Sequence, residues 1–194
     1  FQHDAGSAED HDRELADITS VDGMPVVAAP LHSQLPAVAA GFKARRPGAR
    51  LAYVMTDGAA LPLALSDLLV ATRAAGLVDL TVTSGHAFGG DFEAVSVHSA
   101  LAVARHLGGA DAAVVAMGPG IVGTDSRLGF SGIEVGSVLD AAAGLGGLPI
   151  AALRVSFADP RVRHRGVSHH SLTTLSIATR TRVRIPVPAV GGEE

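Results

Sequence analysis

Five short runs of this chain are apolar almost throughout, and longer stretches with helical spacing separate them. The runs are MPVVAA (24–29), ARLAYVMT (49–56), LVDLTVTS (77–84), DAAVVAM (111–117) and PIAALRVSF (149–157). A strand with one wet face alternates apolar and polar residues, whereas a strand covered on both faces does not. Continuous runs joined by helices therefore predict an α/β fold: a doubly wound, mainly parallel sheet of five or six strands with helices on both faces.

The helical stretches carry their own punctuation. Leu61, Leu65, Leu68, Leu69 and Thr72 share a stripe that ends before Gly76, a residue suited to the left-handed cap of a helix. A second helix is expected from about Asp91 to Leu107, ahead of Gly108 and Gly109. Ser131 and Glu134 have capping-box spacing at the head of a third, which runs through Val138, Leu139, Ala142 and Leu145 to Gly146. A shorter helix is expected to begin at Ser168. Pro186 and Pro188 place a last strand, 182–188, at a sheet edge because proline donates no ladder bond. Residues 1–22 are polar and read as an arm, 23–188 as one α/β domain and 189–194 as a tail.

Composition narrows the chemistry. There is no cysteine, which excludes disulfides, thiolate catalysis and Cys-containing zinc motifs. A net charge of −4 offers no general attraction for nucleic acid, and no apolar run approaches the length of a membrane span. Neither nucleic acid nor membrane is an expected partner. A cytoplasmic location is the default, and a homo-oligomer is left open.

The segments that lead into strands are plain, but those that follow strands are not. The latter read PLHSQLP (30–36), TDGAALP (56–62), SGHAFGGDFE (84–93), GPGIVGTDSRLGFSG (118–132) and ADPRVRHRGVSHHS (158–171). In a parallel sheet these loops gather along the carboxyl edge, where open α/β sheets bind ligands at a reversal of strand order.

Gly118, Gly120 and Gly123 fit G-x-G-x-x-G after a strand, followed by Thr124. A dinucleotide fingerprint opens its helix at once and places an acid near the end of the next strand. Here Thr124 to Ser131 intervene and Asp140 falls inside the helix, so a dinucleotide is not expected. A loop whose amides cradle an anion and a tight turn both remain open. Arg161, Arg163, His164 and Arg165 read either as an anion clamp or as a solvated basic loop. His169 and His170 stand next to each other at a helix start, where successive side chains diverge by about 100°. One is expected in the crevice, the other packed or capping.

His86, Asp91 and Glu93 cluster on the third loop. Together with Asp57, Asp125 and Asp159 they are of the kind that bind a divalent metal or work as an acid–base pair. His86, Asp91, Glu93 and Asp125 are the metal candidates. His86, Asp91, Asp57, His169 and Asp159 are the catalytic ones. Asp91 as a helix cap and Asp57 with Gly58 as turn chemistry are the structural alternatives.

GMPVVAAPLHSQLPA (23–37), YVMTDGAALP (53–62), SGHAFGGDFEAV (84–95), VVAMGPGIVGTDSRLGFSGIE (114–134) and SFADPRVRHRGVSHHSLT (156–173) resemble the bacterial domain-of-unknown-function family 3866. The resemblance runs from residue 23 to about 185. It implies that the loops are signature elements and that members carry a further N-terminal portion, and it implies no activity.

The expectation is an enzyme, a hydrolase or group transferase, acting on a phosphate- or carboxylate-bearing small molecule. Gly118, Gly120, Gly123, Thr124, Arg161, Arg163, His164, Arg165 and His170 would bind that anion. The alternative is a non-catalytic metabolite-binding or regulatory module that uses the same crevice.

Overall fold

The computed structural model describes residues 8–58 and 61–187. The first seven residues of the expected arm, Ala59 and Ala60 of the second loop, Pro188 and the 189–194 tail lie outside the described residues. Six strands form the main sheet: β1 (Pro25–Ala28), β2 (Leu51–Thr56), β3 (Leu80–Ser84), β4 (Phe92–Ala94), β5 (Ala112–Met117) and β6 (Leu148–Ala151). Their order is β4-β3-β2-β5-β1-β6, and every pairing is parallel. Every residue of β2, β3 and β5 is buried, the physical reason these runs do not alternate.

Helices α2 (Leu35–Arg45) and α3 (Asp67–Ala74) cover one face, where Leu35, Ala39 and Leu69 join Tyr53, Met55 and Val114 in one core. Helices α4 (Val97–Ala102) and α5 (Val135–Gly144) cover the other, where Leu101, Val138 and Leu139 join Val26, Val54, Val82 and Val115. The chain winds outward to β3 under α2 and α3, then returns to β5 and β6 under α4 and α5. Right-handed crossovers require this change of face when the direction reverses. The fold is thus the doubly wound α/β sheet that the sequence predicts.

Several elements differ from expectation. Asp91 does not begin a helix. The residues after it form β4, and the helix starts at Val97 with Ser96 as its cap. Parallel neighbours ordinarily need a long crossover, but here 85–91 suffices. Gly85 and Gly89 take φ of 70° and 90°, and Asp91 Oδ2 accepts from Thr81 N at 2.8 Å. The stretch 61–75 breaks into a 3-10 turn, Leu63–Leu65, and α3, whose cap is Ser66. Leu65 consequently faces solvent.

The capping box at Ser131 does not form either. Phe130 precedes a 3-10 turn over Ser131–Glu134 with no side-chain cap; Ser131 Oγ accepts from Val122 N, and Glu134 turns to Thr56. The expected last strand contributes, among the described residues, one bridge from Arg184 to Ile150. The run 149–157 also divides: β6 ends at Ala151, and Val155–Ser156 joins a separate ribbon. Inside the expected arm, Ala8–Leu15 is helical (α1), and Leu15 packs on the core.

Candidate functional site

β1 and β5 are neighbours whose connections leave in opposite directions, which opens a crevice at their carboxyl ends. The loops after β1, β5 and β6 meet there. The last of these folds back on itself. Its strands β7 (Val155–Ser156) and β8 (Gly166–Val167) pair antiparallel, and Ser168 N donates to Arg154 O at 2.9 Å. Gly166 makes this return with φ of 72°, a region that favours glycine.

Asp159, buried, organises the loop. Its Oδ1 accepts from Arg161 N at 3.0 Å and Nε at 3.1 Å; its Oδ2 accepts from Arg161 Nη2 at 3.1 Å and Arg154 Nη2 at 2.8 Å. These bonds, those from Arg161 first, hold its carboxyl well below the usual carboxylate range. The free edge of Arg154 continues to His164, where Nη1 donates to Nδ1 at 3.0 Å. His164 is 1% exposed, and its Nδ1 also lies 2.7 Å from Ser168 Oγ.

His164 stands on a 3-10 turn, Val162–His164, while His169 and His170 open helix α6 (His169–Thr173), capped by Ser168. The three rings converge. Centroids are 4.8 Å apart for His164 and His169, 4.9 Å for His164 and His170, and 4.2 Å for His169 and His170. His164 folds over the helix start and meets both rings, while His169 Nε2 is buried. His170 stacks on Phe130 at 3.9 Å. Burial, followed by neighbouring positive groups, pushes all three imidazoles down, His170 to about 4. In each case the shift favours the neutral ring.

A cleft of about 260 Å³ opens beside this cluster. Leu31, residues 121–124, Arg154, Arg161, Arg163, His164 and His170 line it. A second hollow, under Pro30, Val135 and Leu175, holds about 10 Å³, space for no more than one water. The cleft thus unites six expected ligand-binding residues, Gly123, Thr124, Arg161, Arg163, His164 and His170, from two distant loops. Gly118, Gly120 and Arg165 do not line it. Gly118 is buried against Met55. Two of the loop amides are already committed, Val122 N to Ser131 Oγ at 3.0 Å and Thr124 N to Gly129 O at 2.7 Å. Those two amides are therefore not available to a ligand in the cleft.

The remaining candidates lie elsewhere along the edge. Asp57 Oδ2 accepts from His86 N at 3.3 Å, and His86 is exposed. A Cβ on Gly85 would stand 2.7 Å from Asp57 Oδ2, so a glycine is required for this approach. Asp91 is held by Arg73 and Thr81, and Glu93 accepts from Gly89 N. Asp125 pairs with Arg163 at 2.5 Å at the surface, its side chain 94% exposed.

Three residues escaped the sequence reading. Arg154 was hidden inside the apolar run 149–157, although a single arginine within such a run is itself a signal. Leu31 carries none. Glu134 was read as a cap, but its Oε1 accepts from Thr56 Oγ1 at 2.5 Å. Burial, aided by the nearby Asp57, pushes the Glu134 carboxyl up despite that bond. His32 likewise joins Tyr53 and Ser66 in a chain of 2.9 Å and 2.6 Å contacts beneath the first loop.

Among the described residues no helix is long and apolar enough to cross a membrane. No curated protein and no solved structure matches the chain. One family model, described as "Protein of unknown function (DUF3866)", matches residues 2–194. The chain, over nearly all its length, belongs to that family.

Proposed function

We propose that the cleft binds an anionic small molecule bearing phosphate or carboxylate, and that the protein is an enzyme acting on it by hydrolysis or group transfer. What supports this is the convergence of Arg154, Arg161 and Arg163 with His164 and His170 around one cleft of about 260 Å³. Guanidinium forks match phosphate and carboxylate oxygens in pairs, a planar fit that ammonium lacks. Asp159 and Asp125 hold the three forks but offset only two of their charges. The cleft therefore keeps a positive excess. The histidine wall offers nitrogen lone pairs beside the place where the anion would sit.

A metabolite-binding module is the second reading. It is favoured by the absence of any carboxylate among the described residues that line the cleft, which leaves no acidic general base there.

Titration calorimetry with inorganic phosphate and pyrophosphate tests the shared premise. Binding should be measurable for the wild type and at least tenfold weaker for Arg163→Ala, whose site on an exposed turn leaves the fold intact. No heat and no thermal shift with either anion or with small carboxylates would overturn both readings. Binding without turnover of phosphoester, nucleotide or acyl substrates, with and without Mg²⁺, Mn²⁺ or Zn²⁺, would decide for the binding module.

A further inference from the structure

We infer that His164, His169 and His170 form a three-imidazole centre for a divalent transition metal, zinc above others, with an open position toward the arginine-lined cleft. The ligand-capable nitrogens of the three residues all lie within 4.8 Å of one another. Zinc bound at about 2.0–2.1 Å to each nitrogen sets them about 3.4 Å apart, so the rings need to draw in by at most about 1.4 Å. Small rotations of side chains accomplish this.

A second observation points the same way. His169 Nε2 is buried and has no hydrogen-bond partner among the described residues. A buried polar nitrogen without a partner is costly, and a metal ion is one of the few things that satisfies a lone pair there. The donor set is nitrogen only, without sulfur or carboxylate, which suits zinc or its transition-metal neighbours and not magnesium or calcium. Three protein ligands and one open position are the pattern of a catalytic zinc site.

The present hydrogen bonds say how such a site would load. Arg154 can only donate, so His164 Nδ1 now carries the lone pair and Nε2 the proton. Ligation through Nε2 moves that proton to Nδ1, where Ser168 Oγ, 2.7 Å away, accepts it as the outer partner of the ligand. Arg154 Nη1 must then leave His164 while Nη2 stays on Asp159. The released N–H lies at the cleft. Metal loading would thus arm one of the guanidiniums proposed to hold the anion.

Charge makes the two events dependent on each other. A dication among three arginines is opposed until an anion enters, and an anion is held better beside a dication. This coupling, unlike metal binding itself, rests on the anion reading above.

Calorimetry with Zn²⁺ and the visible absorption of the Co²⁺ form test the centre on the full chain after dialysis against a chelator. One metal per chain should bind, and His169→Ala should weaken it at least a hundredfold. His170→Gln serves as a second variant should the first lose its fold by circular dichroism. His106→Ala, a histidine bonded to Ser20 O on another helix, should bind normally. A folded wild type that binds neither metal, or binding that persists in both cluster variants, overturns the centre. Inorganic phosphate should tighten Zn²⁺ by about tenfold, and Zn²⁺ should tighten phosphate equally. Phosphate that binds but leaves Zn²⁺ affinity unchanged overturns the open position toward the cleft. Zn²⁺ that binds while phosphate alone and phosphate with Zn²⁺ do not upholds the centre and overturns the anion reading.

Discussion

Nη1 of Arg154 donates to Nδ1 of His164 at 3.0 Å, although the two residues lie on opposite limbs of a folded-back loop. The same guanidinium donates through Nη2 to Asp159. One side chain therefore couples the acidic knot of the loop to the histidine cluster and also lines the cleft.

Replacing Arg154 should cost more than charge. Arg154→Met keeps the bulk of the stem but removes both bonds, and phosphate affinity should fall about 10- to 100-fold, the worth of one charge-assisted hydrogen bond of about 1.5–3 kcal/mol. Arg154→Lys should rescue little, since one ammonium cannot reach Asp159 and the anion in fork geometry. Calorimetric titration with inorganic phosphate reads the difference; full rescue by lysine would show that the fork is not used.

Glu134 should titrate above ordinary glutamate. Burial and Asp57 raise it while the Thr56 hydroxyl opposes them. Asp57→Asn should therefore lower its midpoint and Thr56→Val should raise it, as followed by carbon NMR of the side-chain carboxyl. Equal midpoints in all three proteins would remove Asp57 and Thr56 from the explanation.

Acid stability should depend on Asp79. Its Oδ2 accepts from Leu51 N at 2.6 Å and Lys43 Nζ at 2.7 Å. Burial works against these bonds, but they prevail and lower its pKa. A depressed folded value stabilises above the unfolded pKa of about 3.9 and is lost as pH falls through the lower folded one. Asp79→Asn should thus be about 1–2 kcal/mol less stable at pH 7, and the gap should close below about pH 4. Urea unfolding at both pH values measures it.

Two glycines of one helix should answer oppositely to alanine. A Cβ on Gly136 would stand 2.6 Å from Ala178 O, so Gly136→Ala should destabilise by about 1–3 kcal/mol. Gly144 at the end of α5 has nothing within 4 Å of its Cβ position. Gly144→Ala should stabilise by about 0.4–1 kcal/mol, mainly through the unfolded chain. Thermal melts of the two variants distinguish contact from chain entropy.

The loops that carry the site were legible because strand ends impose an address. Residues after β1, β5 and β6 share one edge whatever their side chains do. The content of the cleft was partly legible for the same reason: Arg161, Arg163, His164 and His170 stand on one such loop, Gly123 and Thr124 on another. Arg154 was not, since inside an apolar run it reads as strand. Asp91 was misread because acid before helix-like spacing is a common capping signal, whereas here it ties the connection between two parallel strands.

Periodicity along the chain determined the doubly wound class, the main buried strands and which loops share the carboxyl edge, because burial on two faces dictates residue type position by position. Tertiary structure alone decided which neighbours touch. The antiparallel return at Gly166 lays His164 over the start of α6, and Asp159 draws Arg154 and Arg161 together. Those contacts depend on the path of an irregular loop, where each residue's partner is set by backbone geometry and no repeating pattern records it.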